Sequence, residues 1–318
     1  MTDFYTPEHL ARQGEMFANR LLKRYRHLKK RFSRDQIDCF RLYDWDIPEI
    51  RAVADWYAGE LVISEYERRQ TGAEWLPVMG EAAARAFDLA AGQIHLKRRI
   101  TGMGRPRYKR LAFEGVMREV KERDLSFYIN LEDFLDTGLF SDHRNTRLLI
   151  RNFAKDSMFL NLFCYTGTFT CACIAGGARG GISVDRSASY LDWAEKNLLL
   201  NGLKCSGHKF VKSDTGSFLN RLKREGTRFS LAFVDPPSFY KDRITGESFD
   251  ILSDHPNLLQ RTVQCMEPGG IIIFSTNHQR FEPDFSDLPL AACDEITPGS
   301  IPEDYRNRRV HRCWKMQV

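Results

Sequence analysis

The spacing of hydrophobic residues divides the chain into two parts with different patterns. In the second part, short apolar runs alternate with segments of helical spacing, which is typical of buried parallel strands connected by helices. We predict strands at 158–163, 181–184, 208–212, 229–234 and 270–274, and helices near 168–176, 187–201, 215–224 and 252–266. These elements indicate a doubly wound α/β sheet, in which ligands bind beyond the carboxyl ends of the strands.

The first part combines a helical pattern with short alternating runs. Phe17, Leu21, Leu28 and Phe32 recur at helical spacing beside Tyr25, which predicts an amphipathic helix. Residues 40–66 then alternate apolar and polar positions, and residues 81–91 return to helical spacing. We therefore expect a smaller α+β domain over residues 1–125, followed by the sheet domain over residues 126–318.

Composition excludes several classes of protein. The 318-residue chain is 42% hydrophobic, but no apolar stretch approaches the roughly 20 residues that cross a bilayer. The N-terminus lacks the basic start and apolar run of a secretory signal, so we expect a cytoplasmic protein. The eight cysteines are scattered, and only Cys171 and Cys173 lie close together. This pattern favours buried thiols over a metal site, and we expect no metal.

Positive charge is concentrated in the N-terminal part. The net charge is +5, and residues 1–130 hold 24 Lys/Arg against 19 Asp/Glu. Residues 20–34 contain eight basic residues and no acidic one, so the predicted helix has a basic face suited to a phosphate backbone. We predict RNA contacts from Arg20, Lys23 and Arg24. The alternative is an ordinary solvated face.

A second basic cluster spans residues 97–110. It holds seven Lys/Arg around a Gly/Pro turn, and we interpret it as a flexible hairpin tip or loop. Tyr108 is placed to stack on a base, and the predicted phosphate contacts are Lys97, Arg98, Arg99, Arg105 and Arg107. An ordinary polar loop is the alternative.

The first two predicted strands end in residues that suit a nucleotide. Gly167 lies in the turn after the first strand, where a glycine lets the backbone approach a ligand closely. Asp185 follows the second strand and could accept both hydroxyls of a ribose. The alternative role for Asp185 is capping of the next helix.

The third and fourth strands also end in candidate ligand-binding residues. Ser213 and Asp214 follow the third strand and could meet an adenine edge. The fourth strand ends in the turn 235–239, with the sequence DPPSF. Two consecutive prolines have fixed φ and no N–H, which leaves nearby carbonyls free to accept from a ligand, and Phe239 offers a stacking face. A turn that merely ends the strand is the alternative.

Taken together, these motifs resemble one family over nearly the whole chain. The sequence is similar to the RlmK-type guanine-N7 methyltransferases of bacterial 23S rRNA, which often form the C-terminal half of a fused enzyme. The resemblance is carried by MFANRL (16–21), CFRLYD (39–44), LDTGLFSDHR (135–144), NLFCYTG (161–167), YLDWAEKN (190–197), DPPSF (235–239) and RNR (306–308).

The resemblance implies a class I (Rossmann-like) domain that binds S-adenosylmethionine (SAM) behind a small RNA-binding domain. The cofactor-binding residues it implies are Phe140, Asp142, Arg144, Asn161, Phe163, Tyr165, Thr166, Gly167, Asp185, Arg186, Asp214 and Asp235. The segment with Asp142 and Arg144 would close over the cofactor, Asp185 would hold the ribose, Asp214 would face the adenine amino group and Asp235 would lie beside the sulfonium. The catalytic residues it implies are Asp235, Pro236, Pro237 and Phe239.

The resemblance also implies a substrate and partners. The substrate would be 23S rRNA or a large-subunit assembly intermediate. The chain starts close to the matching region, so we expect a separate protein to supply the function of the fused N-terminal methyltransferase.

Three other functions are weighed against N7 methylation. Cytosine-C5 rRNA methyltransferases share the DPPxF turn but need a cysteine, usually just after the fifth strand, and residues 273–278 contain none. A catalytically silent ribosome-assembly factor could retain the fold, and cofactor affinity would distinguish it. A dehydrogenase is disfavoured, because Gly167 lacks the paired glycines of a pyrophosphate-binding turn.

Overall fold

The chain forms two compact units, and each unit contains two separate segments of the sequence. The computed structural model describes residues 6–66, 72–99, 110–241 and 246–318. The first unit comprises Met1–Ser141 with Glu303–Arg306, and the second comprises Asp142–Pro302 with Asn307–Val318. The expected boundary at 125/126 falls inside the second strand, Leu125–Ile129, of a β-hairpin that belongs to the first unit.

The first unit contains a four-stranded sheet, two helices and that hairpin. Its elements are α1 (Pro7–Arg34), β1 (Cys39–Asp44), β2 (Ala52–Tyr57), β3 (Glu60–Tyr66), α2 (Trp75–Phe87), β4 (Ile94–Arg99), β5 (Arg118–Glu122) and β6 (Leu125–Ile129). The sheet order is β1-β2-β3-β4. The first three strands are antiparallel, and β4 joins β3 in parallel through α2. The expected small α+β domain is confirmed.

Helix α1 provides much of the core of this unit. It begins at Pro7 with Thr6 as N-cap, well before the basic cluster. The predicted stripe of Phe17, Leu21, Leu28 and Phe32 is buried, which accounts for the periodicity seen in the sequence. Helices α1 and α2 pack closely together.

The short segment Glu303–Arg306 returns to the first unit through polar contacts. Asp304 Oδ2 accepts the Arg41 backbone N–H at 2.8 Å. The Arg41 guanidinium lies 4.4 Å from the centre of the Tyr305 ring and pairs with both carboxylate oxygens of Asp55. Such contacts between distant parts of the chain leave no periodic signal in the sequence.

The second unit is an α/β sheet domain. Its helices are α3 (Arg144–Phe153), α4 (Thr168–Ala175), α5 (Ala188–Leu200), α6 (Thr215–Glu225), α7 (Ile251–Val263) and α8 (Thr297–Ser300). Its strands are β7 (Met158–Leu162), β8 (Gly180–Asp185), β9 (His208–Lys212), β10 (Phe229–Val234), β11 (Phe239–Lys241), β12 (Ser248–Asp250), β13 (Met266–Thr276), β14 (Ala292–Glu295) and β15 (Arg312–Gln317). All five predicted strands and all four predicted helices are present, with ends that shift by a few residues.

The strand order reverses next to β7. In the seven-stranded sheet the order is β14-β15-β13-β10-β7-β8-β9. The chain runs outward from β7 through β8 to β9 and then returns to β10 on the other side of β7. Strand β15 is antiparallel to β13 and lies between β13 and β14. Ligands of open α/β sheets bind where the order reverses, which here lies between β7 and β10.

None of the described helices is both long enough and apolar enough to cross a bilayer.

Candidate cofactor site

The turn after β7 has a backbone conformation that few residues adopt. Phe163, Tyr165 and Gly167 have φ values of 57°, 49° and 73°, in the left-handed region. A Cβ on Gly167 would lie 2.6 Å from the Ala194 Cβ in α5. Glycine is therefore required here both by the backbone and by the close approach of α5.

Two asparagines fix this turn. Asn197 Nδ2 in α5 donates to the Thr166 carbonyl at 2.8 Å. Asn161 Nδ2 in β7 donates to Thr170 Oγ1 at 2.9 Å, while the buried Asn161 Oδ1 has no hydrogen-bond partner among the described residues. An unpaired buried acceptor costs about 1–3 kcal/mol, so a donor from a bound ligand suits this position.

Asp185 at the end of β8 uses both carboxylate oxygens locally. One oxygen accepts the Tyr165 N–H at 3.0 Å and the other accepts the Ser187 N–H at 2.9 Å. Burial raises the pKa of Asp185. The alternative role as helix cap is wrong, because Ser187 is the N-cap of α5. Asp185 instead ties the turn after β7 to the turn after β8.

Asp214 and Arg186 both contact Tyr240, a residue for which no role was predicted. Asp214 is the N-cap of α6 and accepts the Ser217 N–H at 3.0 Å. The Tyr240 hydroxyl donates to the other Asp214 oxygen at 3.1 Å, and the Arg186 guanidinium lies 4.7 Å from the centre of the Tyr240 ring. Tyr240 lies one residue beyond the DPPSF turn, but an isolated tyrosine carries no sequence signal of this role.

Asp235 at the end of β10 is partly buried. Ser275 Oγ in β13 donates to Asp235 Oδ1 at 2.8 Å, and His143 Nε2 lies 3.6 Å from Oδ2. Burial is the main cause that raises the pKa of Asp235 to about 6. Pro236 is buried and Pro237 is half-buried, whereas Phe239 is 54% exposed. The turn therefore presents an aromatic ring beside a carboxylate of unusual pKa.

The segment around Asp142 has a different environment from the one expected. Asp142 Oδ2 lies 2.9 Å from His311 Nδ1, and Arg144 is fully buried at the start of α3. Phe140 belongs to the first unit and not to the methyltransferase domain in which it was expected. The cofactor contacts predicted for these three residues stay predictions.

One ligand atom from each of Asp142, His143 and His311 lies within 4.8 Å of the others, a spacing that a metal site would also show. The two imidazoles are stacked with 4.2 Å between their centres and 12° between their planes. Nitrogen lone pairs lie in the ring plane, so those of parallel stacked rings do not converge on one ion. Hydrogen bonding accounts for this cluster better than a metal does.

The three residues of α1 that were predicted to contact RNA differ in their partners within the protein. Arg20 pairs with Asp46, and Arg24 Nη2 donates to the Asp304 carbonyl at 3.1 Å. Lys23 is exposed and forms no ion pair with the residues that the structure describes. Lys23 is therefore the most accessible of the three predicted phosphate contacts.

The second basic cluster is partly corrected by the structure. Residues 97–99 end strand β4 and are not part of a loop. Lys97 is 3% exposed and donates to the carbonyls of Phe134 and Leu135, and burial lowers its pKa to about 8. These contacts leave Lys97 unavailable to a phosphate, so the phosphate contact predicted for Lys97 is wrong.

The neighbours of Lys97 also have partners in the first unit. Arg98 pairs with Glu65, and Arg99 pairs with Asp136 at 3.0 Å. The predicted contacts Arg105, Arg107 and Tyr108 lie outside the described residues.

The predicted cofactor residues at the ends of β7, β8, β9 and β10 lie along one edge of the sheet. Leu162 is paired with Val184 on one side and with Val234 on the other, so the turns after β7, β8 and β10 are neighbours. Three carboxylates, Asp185, Asp214 and Asp235, follow three parallel strands there. The unpaired Asn161 oxygen suits an ammonium donor, and the carboxylates suit a ribose, an amine and a positive charge. This donor set fits a nucleoside cofactor with a cationic end, and it defines a class I methyltransferase.

The family comparison agrees with this class. Residues 45–294 match the family model described as "S-adenosylmethionine-dependent methyltransferase". The chain belongs to the SAM-dependent methyltransferase family, and its cofactor is SAM.

Named relatives are similar over nearly the whole chain. "Ribosomal RNA large subunit methyltransferase K" of Neisseria meningitidis serogroup B is 39% identical over 95% of this chain and 86% of its own length. "Ribosomal RNA large subunit methyltransferase K/L" of Allochromatium vinosum is 40% identical over 98% of this chain. The chain spans 43% of the length of the Allochromatium protein.

Solved structures share the fold. SMU.776, solved as a complex with SAH, has a TM-score of 0.76 at 20% identity, covering 96% of this chain and 82% of its own. The SAM-dependent methyltransferase from Agrobacterium tumefaciens has a TM-score of 0.56 at 22% identity, covering 72% of this chain and 71% of its own. The expected Rossmann-like methyltransferase sheet is thereby confirmed.

Proposed function

We propose that the chain transfers a methyl group from SAM to N7 of a guanine in large-subunit (23S) rRNA. The observation that carries the rRNA substrate is the similarity to the Neisseria protein named for large-subunit rRNA methylation, of which the chain covers 86%. The N-terminal unit, with the basic face of α1, is the proposed RNA-binding part. The proposed surroundings of the reactive sulfur are Asp235 and the turn 235–239.

The chemistry of guanine N7 supports this choice of acceptor. SAM, when bound, supplies an electrophilic methyl group on a positively charged sulfur. Guanine N7 carries a lone pair and no proton, so the protein needs no general base and acts by positioning and by excluding water. Asp235 would compensate the positive charge, and the exposed ring of Phe239 would stack on the guanine. Stacking on a base removed from its helix is needed because the deep groove of A-form RNA is closed to side chains.

The thiols of the chain argue against cytosine-C5 transfer. That reaction requires a thiolate that adds to the base. Cys164 is the thiol in the cofactor turn, but it is buried and its pKa is raised well above the ordinary value by that burial. Cys313 in β15 is likewise buried with a raised pKa. Neither thiol is suited to nucleophilic attack at neutral pH.

The test uses the purified chain, rRNA and SAM. Borohydride and aniline cleave RNA at 7-methylguanosine, so we expect methyl incorporation together with cleavage at one guanine. We expect Cys164→Ser to retain transfer and Asp235→Ala to lose it. Methylation without such cleavage would disprove N7, and recovery of 5-methylcytidine with an inactive Cys164→Ser variant would establish the cytosine alternative.

A catalytically silent assembly factor is tested by cofactor binding. Binding of rRNA by the purified chain with no measurable affinity for SAM, and no methyl transfer to either naked rRNA or assembly intermediates, would favour that role. A separate protein that supplies the function of the N-terminal half of the fused relatives stays a prediction, tested by whether its addition raises methyl transfer.

A further inference from the structure

Behind Asp235, the second unit buries a polar cluster that the proposed chemistry does not use. The cluster consists of Asp142 and His143 just before α3, Ser275 in β13, Ser300 in α8 and His311 just before β15. All five residues are buried. Burying polar groups is costly unless each finds a partner, so the order of hydrogen bonds in the cluster is informative.

The hydrogen-bond geometry around His311 favours a proton on both ring nitrogens. Ser300 Oγ donates to the Thr297 carbonyl at 2.9 Å, because a carbonyl only accepts. The hydroxyl oxygen is then left to accept from His311 Nε2, which lies 2.9 Å away. On the other side of the ring, Nδ1 faces the Asp142 carboxylate at 2.9 Å. With an acceptor at each nitrogen, the hydrogen bonds of His311 are complete only when the ring is an imidazolium.

The partners of His143 favour the neutral ring. Ser275 Oγ donates to Asp235 and therefore accepts from His143 Nε2, at 3.4 Å. The second nitrogen, Nδ1, lies 3.4 Å from the hydroxyl of Thr146, which can donate to it. Burial and the neighbouring His311 lower the pKa of His143 to about 3. His143 is then neutral, with its proton on Nε2 directed toward Ser275 and Asp235.

The stacking of the two rings couples these states. The ring centres are 4.2 Å apart and the planes differ by 12°. Two adjacent positive rings would repel each other strongly in a buried site, whereas one cation above a neutral aromatic ring is favourable. The pair therefore holds one positive charge next to Asp235.

We propose that His143 and His311 are positioning residues for Asp235: His311 keeps its carboxylate ionised, and His143, through Ser275, fixes its orientation at the end of β10. This inference rests on the proposed place of Asp235 in the cofactor site. The electrostatics agree, because the charge of His311 lowers the pKa of Asp235 while Asp142 and burial raise it.

Other charged or titratable groups also lie near the cluster. Arg147 in α3 contributes to the lowered pKa of His143. Cys313 in β15 has its pKa raised by burial and by Asp235, so it stays neutral. Of the two charges that shift the pKa of Asp235, that of His311 lowers it and that of Asp142 raises it.

The direct test is the ionisation of the cofactor-free protein, followed by NMR. In the unaltered chain we expect imidazolium nitrogen shifts for His311 and the Nε2–H tautomer for His143 at pH 7. A neutral His311 at pH 7 would overturn the proposal without any variant. This measurement requires no RNA, so it is independent of whether the methylated atom is N7.

The second test follows the Asp235 carboxyl carbon during a pH titration. In His311→Gln we expect its pKa to rise by on the order of one unit, as expected for losing one nearby charge. His255→Gln is the matched control, because His255 is also buried and bonded through both nitrogens, to the Ile251 carbonyl and the Asp284 N–H in and after α7. Equal Asp235 titrations in the unaltered chain, His311→Gln and His255→Gln would refute the role of His311.

The role of His143 is tested by a split between binding and turnover. In His143→Gln we expect cofactor affinity to stay within about twofold and kcat to fall at least tenfold, because orientation acts on the reacting geometry. A His143→Gln protein that is folded, binds the cofactor normally and retains full kcat would refute this part.

Discussion

Replacing Asp235 by Asn should stabilise the cofactor-free protein while it abolishes methyl transfer. The pKa of this carboxyl is raised from 3.8 to about 6, chiefly by burial. The folded state therefore binds more protons than the unfolded state between these two values, so this group makes the protein less stable as pH rises through that range. An amide has the same shape and carries no charge to desolvate.

The magnitude follows from the shift. About two units correspond to roughly 3 kcal/mol at 1.36 kcal/mol per unit, reached in full above pH 7. Only 26% of the Asp235 side chain is exposed, so solvent screening removes little of this. We expect Asp235→Asn to raise the free energy of unfolding by up to about 3 kcal/mol at pH 8 and by about half of that at pH 5.

The assay is urea unfolding of the cofactor-free chain at both pH values. Ser275 can still donate to the amide oxygen of the variant, so the contact at 2.8 Å is preserved. Asp192→Asn, an exposed acid on α5, is the control and should change stability by less than about 0.5 kcal/mol. Equal effects of Asp235→Asn at pH 5 and pH 8, or a loss of stability at pH 8, would refute the reasoning.

Three further predictions concern the cofactor, the RNA and the base. Asp185→Ala should weaken SAM binding by roughly 30- to 150-fold in calorimetry, corresponding to about 2–3 kcal/mol for a charged acceptor, whereas Asp192→Ala should have no effect. Lys23→Gln combined with Lys30→Gln should reduce the slope of log Kd for rRNA against log salt by about 1.4–1.8, with SAM affinity unchanged. An unchanged slope would indicate that the basic face of α1 is an ordinary solvated surface. Phe239→Ala should lower kcat/KM for RNA by roughly 5- to 150-fold, corresponding to lost stacking of about 1–3 kcal/mol, and Phe239→Tyr should restore most of it.

The parallel strands and their ends could be predicted because their signals are local. A buried strand is a continuous apolar run, and the residue that follows it lies at the ligand-binding edge whatever the rest of the chain does. Asp185, Asp214 and Asp235 could therefore be singled out without a structure. Their partners could not: Tyr240 and Ser275 are ordinary residues until the fold brings them close.

Long-range contacts account for what the sequence did not reveal. Asp142 and His311 are 169 residues apart and meet only through the return of the chain to β15. The phosphate contact predicted for Lys97 is wrong for a different reason. A run of basic residues gives no indication of which one faces the interior of the first unit. Lys97 donates to two backbone carbonyls, whereas composition alone would count it as a surface charge.

The three carboxylates of the site are distinguished by their donors. Asp185 accepts two backbone N–H groups, and Asp214 accepts one N–H and a tyrosine hydroxyl. Asp235 accepts the Ser275 hydroxyl, with His143 Nε2 more distant at 3.6 Å, and burial raises its pKa to about 6. A carboxylate with many fixed donors is already compensated, whereas one with few donors responds most to an added cation. Of the three acids, Asp235 is thus the one whose energy changes most with a positive charge beside it, which is the property that the reacting end of a methyltransferase site requires.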